Sequence, residues 1–370
     1  MGTSESKFDE LMEKVKSESE EERRWAAHLL GERREKRGIK PLIKLLSDKS
    51  CAVREAAADA LSRINGKEVI QELIFLLRSE EVDLRNIAIE ILEEIGEKVV
   101  EPLSPLLEDE DHDIRKFVCD IMGNIGSPRA IPYLISALND PHINVACAAC
   151  EALGNIKDKK ATESLLKILK DKDRKWLIYN AVEALGKIQD VRAVDALMEL
   201  SSSKNSLILF AQIRALGEIG DTRAVGYLLS FLDSTELNKA AVEALAKVAR
   251  KDEKKVSSSL KSFPERTGLI RKFLKNPDPG VKEKAAFLVG VIKDKEAVPL
   301  LVSLLSGDEE KVKEEAMRAL LKIDPELPFL PGEVEDTARE ILEVFLYDND
   351  KELREAASKA LKRFPPLPEE

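Results

Sequence analysis

The residues of this chain best suited to hold a metal are Cys147 and Cys150, three apart and so on one face of a helix. Cys119 stands in a comparable place one stretch earlier, and His112 and His142 lie nearby in sequence. Thiolates and imidazoles are zinc ligands, but a structural zinc site takes about four convergent ligands, usually as two close pairs. One cysteine pair exists, it falls mid-helix, and cysteine is also a common small core residue. The four cysteines, Cys51 included, read as reduced thiols. Nucleophilic and phosphate chemistry are no better provided for: no G-x-S-x-G, P-loop or G-x-G-x-x-G is present. The 69 acidic residues fall at helical surface spacing beside lysines and arginines, as on a solvated face. The expectation is no catalytic residue, no metal and no cofactor.

What organises the chain is a repeated twelve-residue segment. It reads VREAAADALSRI from Val53, VACAACEALGNI from Val145 and VKEEAMRALLKI from Val312, with weaker versions from Glu22 and Leu353. Successive starts are 29 to 32 residues apart, apart from one step of 44 and one of 41. A period in this range marks a stacked repeat array, in which each unit buries its face against its neighbours.

Each period predicts two helices. In the unit from Ala130 to Ile156, the run from Ala130 is apolar at helical spacing with Pro132 in its first turn, where a missing N–H costs nothing. Pro41, Pro102 and Pro299 take similar places. Asn139-Asp-Pro-His makes a turn, and Ile143–Ile156 a second helix with one apolar stripe. Asp158, Asp190, Asp221 and Asp294 stand where an N-cap for the next helix is needed. The fold class is all-α, a right-handed α-solenoid (superhelix) of about eleven two-helix repeats. The fifth residue of the segment is nearly always alanine, from Ala26 and Ala57 to Ala316 and Ala357, which predicts the contact between units at that column. Gln212 breaks it and should be hydrogen-bonded or turned towards solvent.

These motifs carry a family resemblance. The pattern V-R-x-x-A-A-x-A-L-G-x-I, the turns Asp190-Val-Arg-Ala-Val and Asp221-Thr-Arg-Ala-Val, and the P-L-I-x-L-L helix resemble HEAT-like repeats of the phycobilisome-lyase type over nearly the whole chain. The resemblance implies a protein-binding scaffold whose second helices line a concave side. An accessory subunit or lyase-type chaperone for a tetrapyrrole-bearing protein is the alternative it suggests, although the matching residues are scaffold residues. HEAT-like deoxyhypusine hydroxylases hold iron with His-Glu pairs. Here the three histidines are followed by Leu29, Asp113 and Ile143, which excludes that activity.

The whole of 1–370 reads as one repeat array, with an N-terminal cap over 1–21, insertions at 251–265 and 324–333, and an extended tail at 364–370. The first insertion has room for an extra turn or short helix before a helix Leu269–Leu274. No apolar run approaches the ~18 residues that span a bilayer, and no signal peptide is visible, so a cytoplasmic location and no membrane partner are expected. The net charge of −10 argues against nucleic acid, leaving the basic cluster Arg33, Arg34, Lys36, Arg37 and Lys40 as a minor alternative site.

Two columns of the segment suggest a partner surface. Position seven reads Asp59, Glu90, Asp120, Glu151, Glu183, Arg214 and Glu243, a nearly continuous acidic stripe suited to a basic or amphipathic segment of a protein partner. Position two loses its arginine midway, where Trp176, Ile178, Tyr179, Leu207, Leu209 and Phe210 gather near the starts of successive second helices. Trp176, Tyr179 and Phe210 are the expected anchors, with Tyr179 and Phe210 the preferred exposed pair. Some of the six must be core, since a helix cannot expose three consecutive positions on one face.

Overall fold

The computed structural model describes residues 4–171, 173–200, 205–326 and 330–364. Every regular element among them is helical, and the fold is an α-solenoid. The chain divides into two compact units, residues 1–168 with 173–184 and residues 169–172 with 185–370, each built by the same local rules.

The expected second helix is found over Ile143–Ile156. The first helix of that unit, Ile131–Ala137, is half as long and is entered through a 3-10 turn at Pro128–Ala130. Between hairpins the chain needs only two special residues. The first leaves the helix with a positive φ, as at Gly126 (70°), Lys157 (58°), Gln189 (56°) and Lys293 (57°), and its N–H closes the last turn. The second is the expected cap. Asp158, Asp190, Asp221 and Asp294 each accept the N–H two residues on, at 2.8 to 3.1 Å. In the D-x-R-A-V turns the arginine is held by its own cap, and Arg223 also reaches back to Asp195 (2.6 Å) and the Val191 carbonyl (2.8 Å).

Successive second helices pack side by side, and glycine sets their distance. A Cβ on Gly31, Gly123, Gly186, Gly217 or Gly290 would sit 2.6 to 2.9 Å from the Cα of Ala60, Ala152, Ala215, Ala244 or Ala319 respectively. Position ten of one segment therefore meets position eight of the next, backbone against backbone. The alanines at position five are fully buried as expected, but the closest approach lies at these later columns.

A polar bracket closes the other end of the joint. Arg115, at position two, donates to both oxygens of Asp140 in the following turn (2.7 and 2.9 Å) and to the Asp109 carbonyl of its own turn (2.7 Å). Arg23 does the same with Asp48 and the carbonyls of Ser17 and Glu18. Arg54, Arg85 and Arg354 keep the bonds to carbonyls of their own turns. The column's later occupants Ala146 and Ile178 are buried instead, so apolar packing replaces the bracket there.

The departures from the period are partly structural. Residues 251–265 hold a helix, Glu253–Lys261, capped by Asp252 and fixed by the fully buried Val256 and Leu260. The helix expected over Leu269–Leu274 is instead α-helical over Pro264–Ile270 and 3-10 over Arg271–Lys275. In 324–333, Asp324 accepts the Glu326 N–H, Glu326 pairs with Lys359 and Arg363, and Leu330 is buried; 327–329 lie outside the described residues. So does the tail beyond Phe364, and so do the first three residues of the N-terminal cap. The cap's helix, Ser4–Lys14, buries Leu11. Gln212 is fully buried, and its amide donates to the Leu197 carbonyl and to Tyr227 Oη (3.0 Å), which meets the expectation of a hydrogen-bonded side chain.

Gly123→Ala should destabilise the protein by about 2 kcal/mol in urea unfolding. The clash with Ala152 outweighs the roughly 1 kcal/mol by which alanine favours a helix over glycine. Gly332→Ala, where an added Cβ meets nothing within 4 Å, should leave the midpoint unchanged or raise it. Three arginine–aspartate pairs also predict a pH dependence. Arg23, Arg78 and Arg223 hold the carboxyls of Asp48, Asp109 and Asp221 below the ordinary carboxylate range. A depressed folded value means the unfolded chain binds more protons, so this stability is complete at neutral pH. It should be lost progressively as pH falls below about 4, which acid titration of the helical circular dichroism signal would follow.

Candidate partner-binding surface

The helix Lys175–Ile188 fixes the first anchors. Leu177, Ile178, Ala181 and Val182 face inward and are buried, which leaves Trp176 and Tyr179 together on the opposite side. Trp176 is 64% exposed and meets the half-buried Tyr179 edge-on, with ring centroids 6.4 Å apart. The Asn180 amide donates to the Trp176 carbonyl at 2.9 Å. Glu183 follows Tyr179 by one helical turn and is half-buried.

In the other unit, the helix Ser206–Ile219 exposes Leu207 and Phe210 and half-buries Leu209. Arg214, one turn beyond Phe210, lies over its ring with its guanidinium carbon 5.8 Å from the centroid. The six apolar residues expected near these helix starts thus divide. Trp176, Leu207 and Phe210 are exposed, Tyr179 and Leu209 are intermediate, and Ile178 is core. The most exposed of the three expected anchors is Trp176, not Tyr179, because helix geometry turns position three partly towards the neighbouring helix.

The acidic column is partly neutralised. Asp59 pairs with Arg63 (2.9 Å), Asp120 with Lys116 (2.6 Å) and Glu243 with Lys284 (3.4 Å). Glu90 and Glu151 are exposed and form no ion pair among the described residues. In the basic cluster near the N-terminus, Arg37 pairs with Glu35 (3.1 Å) and lies over the Phe8 ring at 3.9 Å, while Arg33, Arg34, Lys36 and Lys40 are exposed.

The metal-ligating types are brought together differently from their sequence spacing. Cys119 and Cys150 are buried, and burial pushes the Cys119 thiol up to about 12 and the Cys150 thiol up as well. Thiols so held stay protonated and unreactive at neutral pH. His112 and His142, from successive turns, stack with centroids 3.8 Å apart and planes within 5°. Parallel rings direct their in-plane lone pairs side by side, so this arrangement does not fit one shared ion. Asp111, His112 and Asp113 cluster on the surface beside them.

Stacked hairpins with an exposed Trp176 and a partly neutralised acidic column make up this α-solenoid. Five stretches, residues 8–93, 70–142, 131–211, 173–246 and 267–362, match the HEAT repeats family, and the chain belongs to it. HEAT repeat arrays are generally non-enzymatic scaffolds for protein interaction. Among solved structures, an engineered protein from the Northeast Structural Genomics Consortium is 23% identical, with a TM-score of 0.42 over 96% of this chain and 98% of that one. No curated protein matches the chain. No described helix is long and apolar enough to cross a membrane.

Sequence reasoning missed one concavity. A groove of about 1060 Å³ lies over the second helices Pro279–Ile292, Glu310–Ile323 and Lys351–Leu361 and is bordered by the inserted helix Glu253–Lys261. Its signal was the appearance of Lys284 and Glu315 at position four, which is uncharged in every earlier segment.

Trp176→Ala should shift unfolding free energy by less than about 0.5 kcal/mol, as a surface change. Ile178→Ala, two residues on, should cost about 2–4 kcal/mol. Paired urea melts of the two variants check the division between surface and core.

Proposed function

We propose that this protein is a non-enzymatic cytoplasmic scaffold or adaptor that takes a basic or amphipathic segment of a partner protein on the face of its second helices. Trp176 and Tyr179 are the apolar anchors of one unit, and Phe210 is that of the other. Glu151 and Glu183 steer a cationic segment towards them, and Arg214 marks where the acidic stripe is interrupted. The reading is carried by Trp176, a large aromatic side chain left 64% exposed against Tyr179 in a chain with only 5% aromatic residues. An exposed aromatic set in a charged surround is the composition of an interface hot spot. The exposed, unpaired Glu151 adds the electrostatic half of the argument.

Two other readings have less support. A lyase-type chaperone for a tetrapyrrole-bearing protein rests on scaffold residues alone. Nucleic-acid binding through Arg33, Arg34, Lys36, Arg37 and Lys40 is opposed by the net charge of −10 and by the engagement of Arg37 with Glu35 and Phe8.

The test compares affinity capture from native extract by the wild-type chain and by the Trp176→Ala, Phe210→Ala double variant. The variant should retain the wild-type melting temperature and lose at least about tenfold of the captured partner. Capture should also weaken as salt rises. Equal capture by both proteins would remove the anchors from the interface.

A further inference from the structure

The groove over Pro279–Ile292, Glu310–Ile323 and Lys351–Leu361 has a composition of its own. Its floor is apolar, with Phe287, Val291, Leu321 and Leu353 all buried. Three of the cations along it are committed, and Lys254, Lys293 and Lys311 line it as well. Arg250 pairs with Glu283 (3.0 Å), Lys322 with Glu253 of the inserted helix (2.8 Å), and Arg318 with Asp348 (2.8 Å). Arg250 and Lys322 also lie over the Phe287 ring, at 5.3 and 5.2 Å from its centroid.

Glu315, like Glu314, lines the groove, is half-buried, and makes no hydrogen bond or ion pair among the described residues. Burial pushes its carboxyl above the ordinary range against the attraction of Arg318, Lys322 and Arg250, whose charges are engaged elsewhere. A partly desolvated carboxylate without a donor is a local cost that packing does not explain. The column it occupies is alanine in four earlier segments, Ala56, Ala148, Ala211 and Ala240, so the fold does not require an acid there.

We propose that this groove is a second docking site, independent of Trp176 and Phe210, for an extended polypeptide segment that inserts an arginine or lysine side chain onto Glu315. The occupant follows from the complementarity of its two parts. A long methylene stem matches the apolar floor, and the terminal cation supplies the donors that Glu315 lacks. The groove crosses three successive second helices, a path suited to an extended chain. Arginine is the better fit, because its planar fork meets a carboxylate with two bonds.

The experiment is fluorescence anisotropy of a labelled tetra-arginine peptide with the full chain at 150 mM salt, where diffuse attraction to an acidic surface is screened. Glu315→Gln should weaken binding about tenfold. Glu340→Gln, which removes the same charge from an exposed position elsewhere, and Trp176→Ala should each change it less than twofold. A tetra-glutamate peptide should not bind. Absence of tetra-arginine binding would overturn the proposal, and so would equal losses for Glu315→Gln and Glu340→Gln. A second readout guards against a purely structural role. Because the folded value of Glu315 is raised, ionisation opposes folding, and Glu315→Gln should raise the melting temperature by an amount that grows from pH 4 to pH 8. A lowered melting temperature at pH 8 would make Glu315 a structural residue and end the proposal. Failure of the Trp176 and Phe210 surface would leave this site standing, since its test excludes those residues.

Discussion

The distance between neighbouring second helices is the constraint from which the rest of this structure follows. At five joints the backbone of one helix lies against an alanine of the next so closely that a single methyl group would collide with it. Such an approach removes apolar surface from water along the whole helix and leaves no room for water between the backbones. It also fixes rotation. Once position ten meets position eight, the side chains at positions three and seven have no choice about which way they face.

Around that contact the polar groups are arranged to close the joint rather than to decorate it. Arg23 and Arg115, at position two, each span their own turn and the next, which ties those turns to two helices. Asp158, Asp190, Asp221 and Asp294 cap the turns that follow their helices, and the last three hold an arginine as well. Where Ala146 and Ile178 take the arginine's place they are packed inward, and beside Ile178 the aromatic side chain of Trp176 is left on the surface. The change in the motif and the change in the surface are one event.

The candidate surface was legible only in part. The acidic column and the i,i+4 pairs of Asp59 and Asp120 could be read from spacing, but the pairing of Glu243 with Lys284 could not, because that partner lies on another helix. The cluster from Trp176 to Phe210 was visible as a departure from the pattern, whereas its division into exposed and buried members depends on the helix phase. The stacking of His112 on His142 was not foreseen, since it arises from two turns brought together by the stacking of their helices. The groove near Glu315 was hidden in the longest step of the repeat. Nothing in that insertion announces that Glu253, the first residue of its helix, will pair with Lys322, 69 residues further on.

What the sequence by itself determined is the local grammar: the hairpin, its capping aspartates, the helix Ile143–Ile156 and the buried alanine column. These depend on contacts within a few residues, on periodicity and on turn chemistry, all of which are written in adjacent letters. The tertiary structure decided which small residues touch, which acids stay unpaired and which aromatic rings remain in water. Those outcomes depend on the phase and separation of helices about 30 residues apart, and that geometry is set by packing between neighbours.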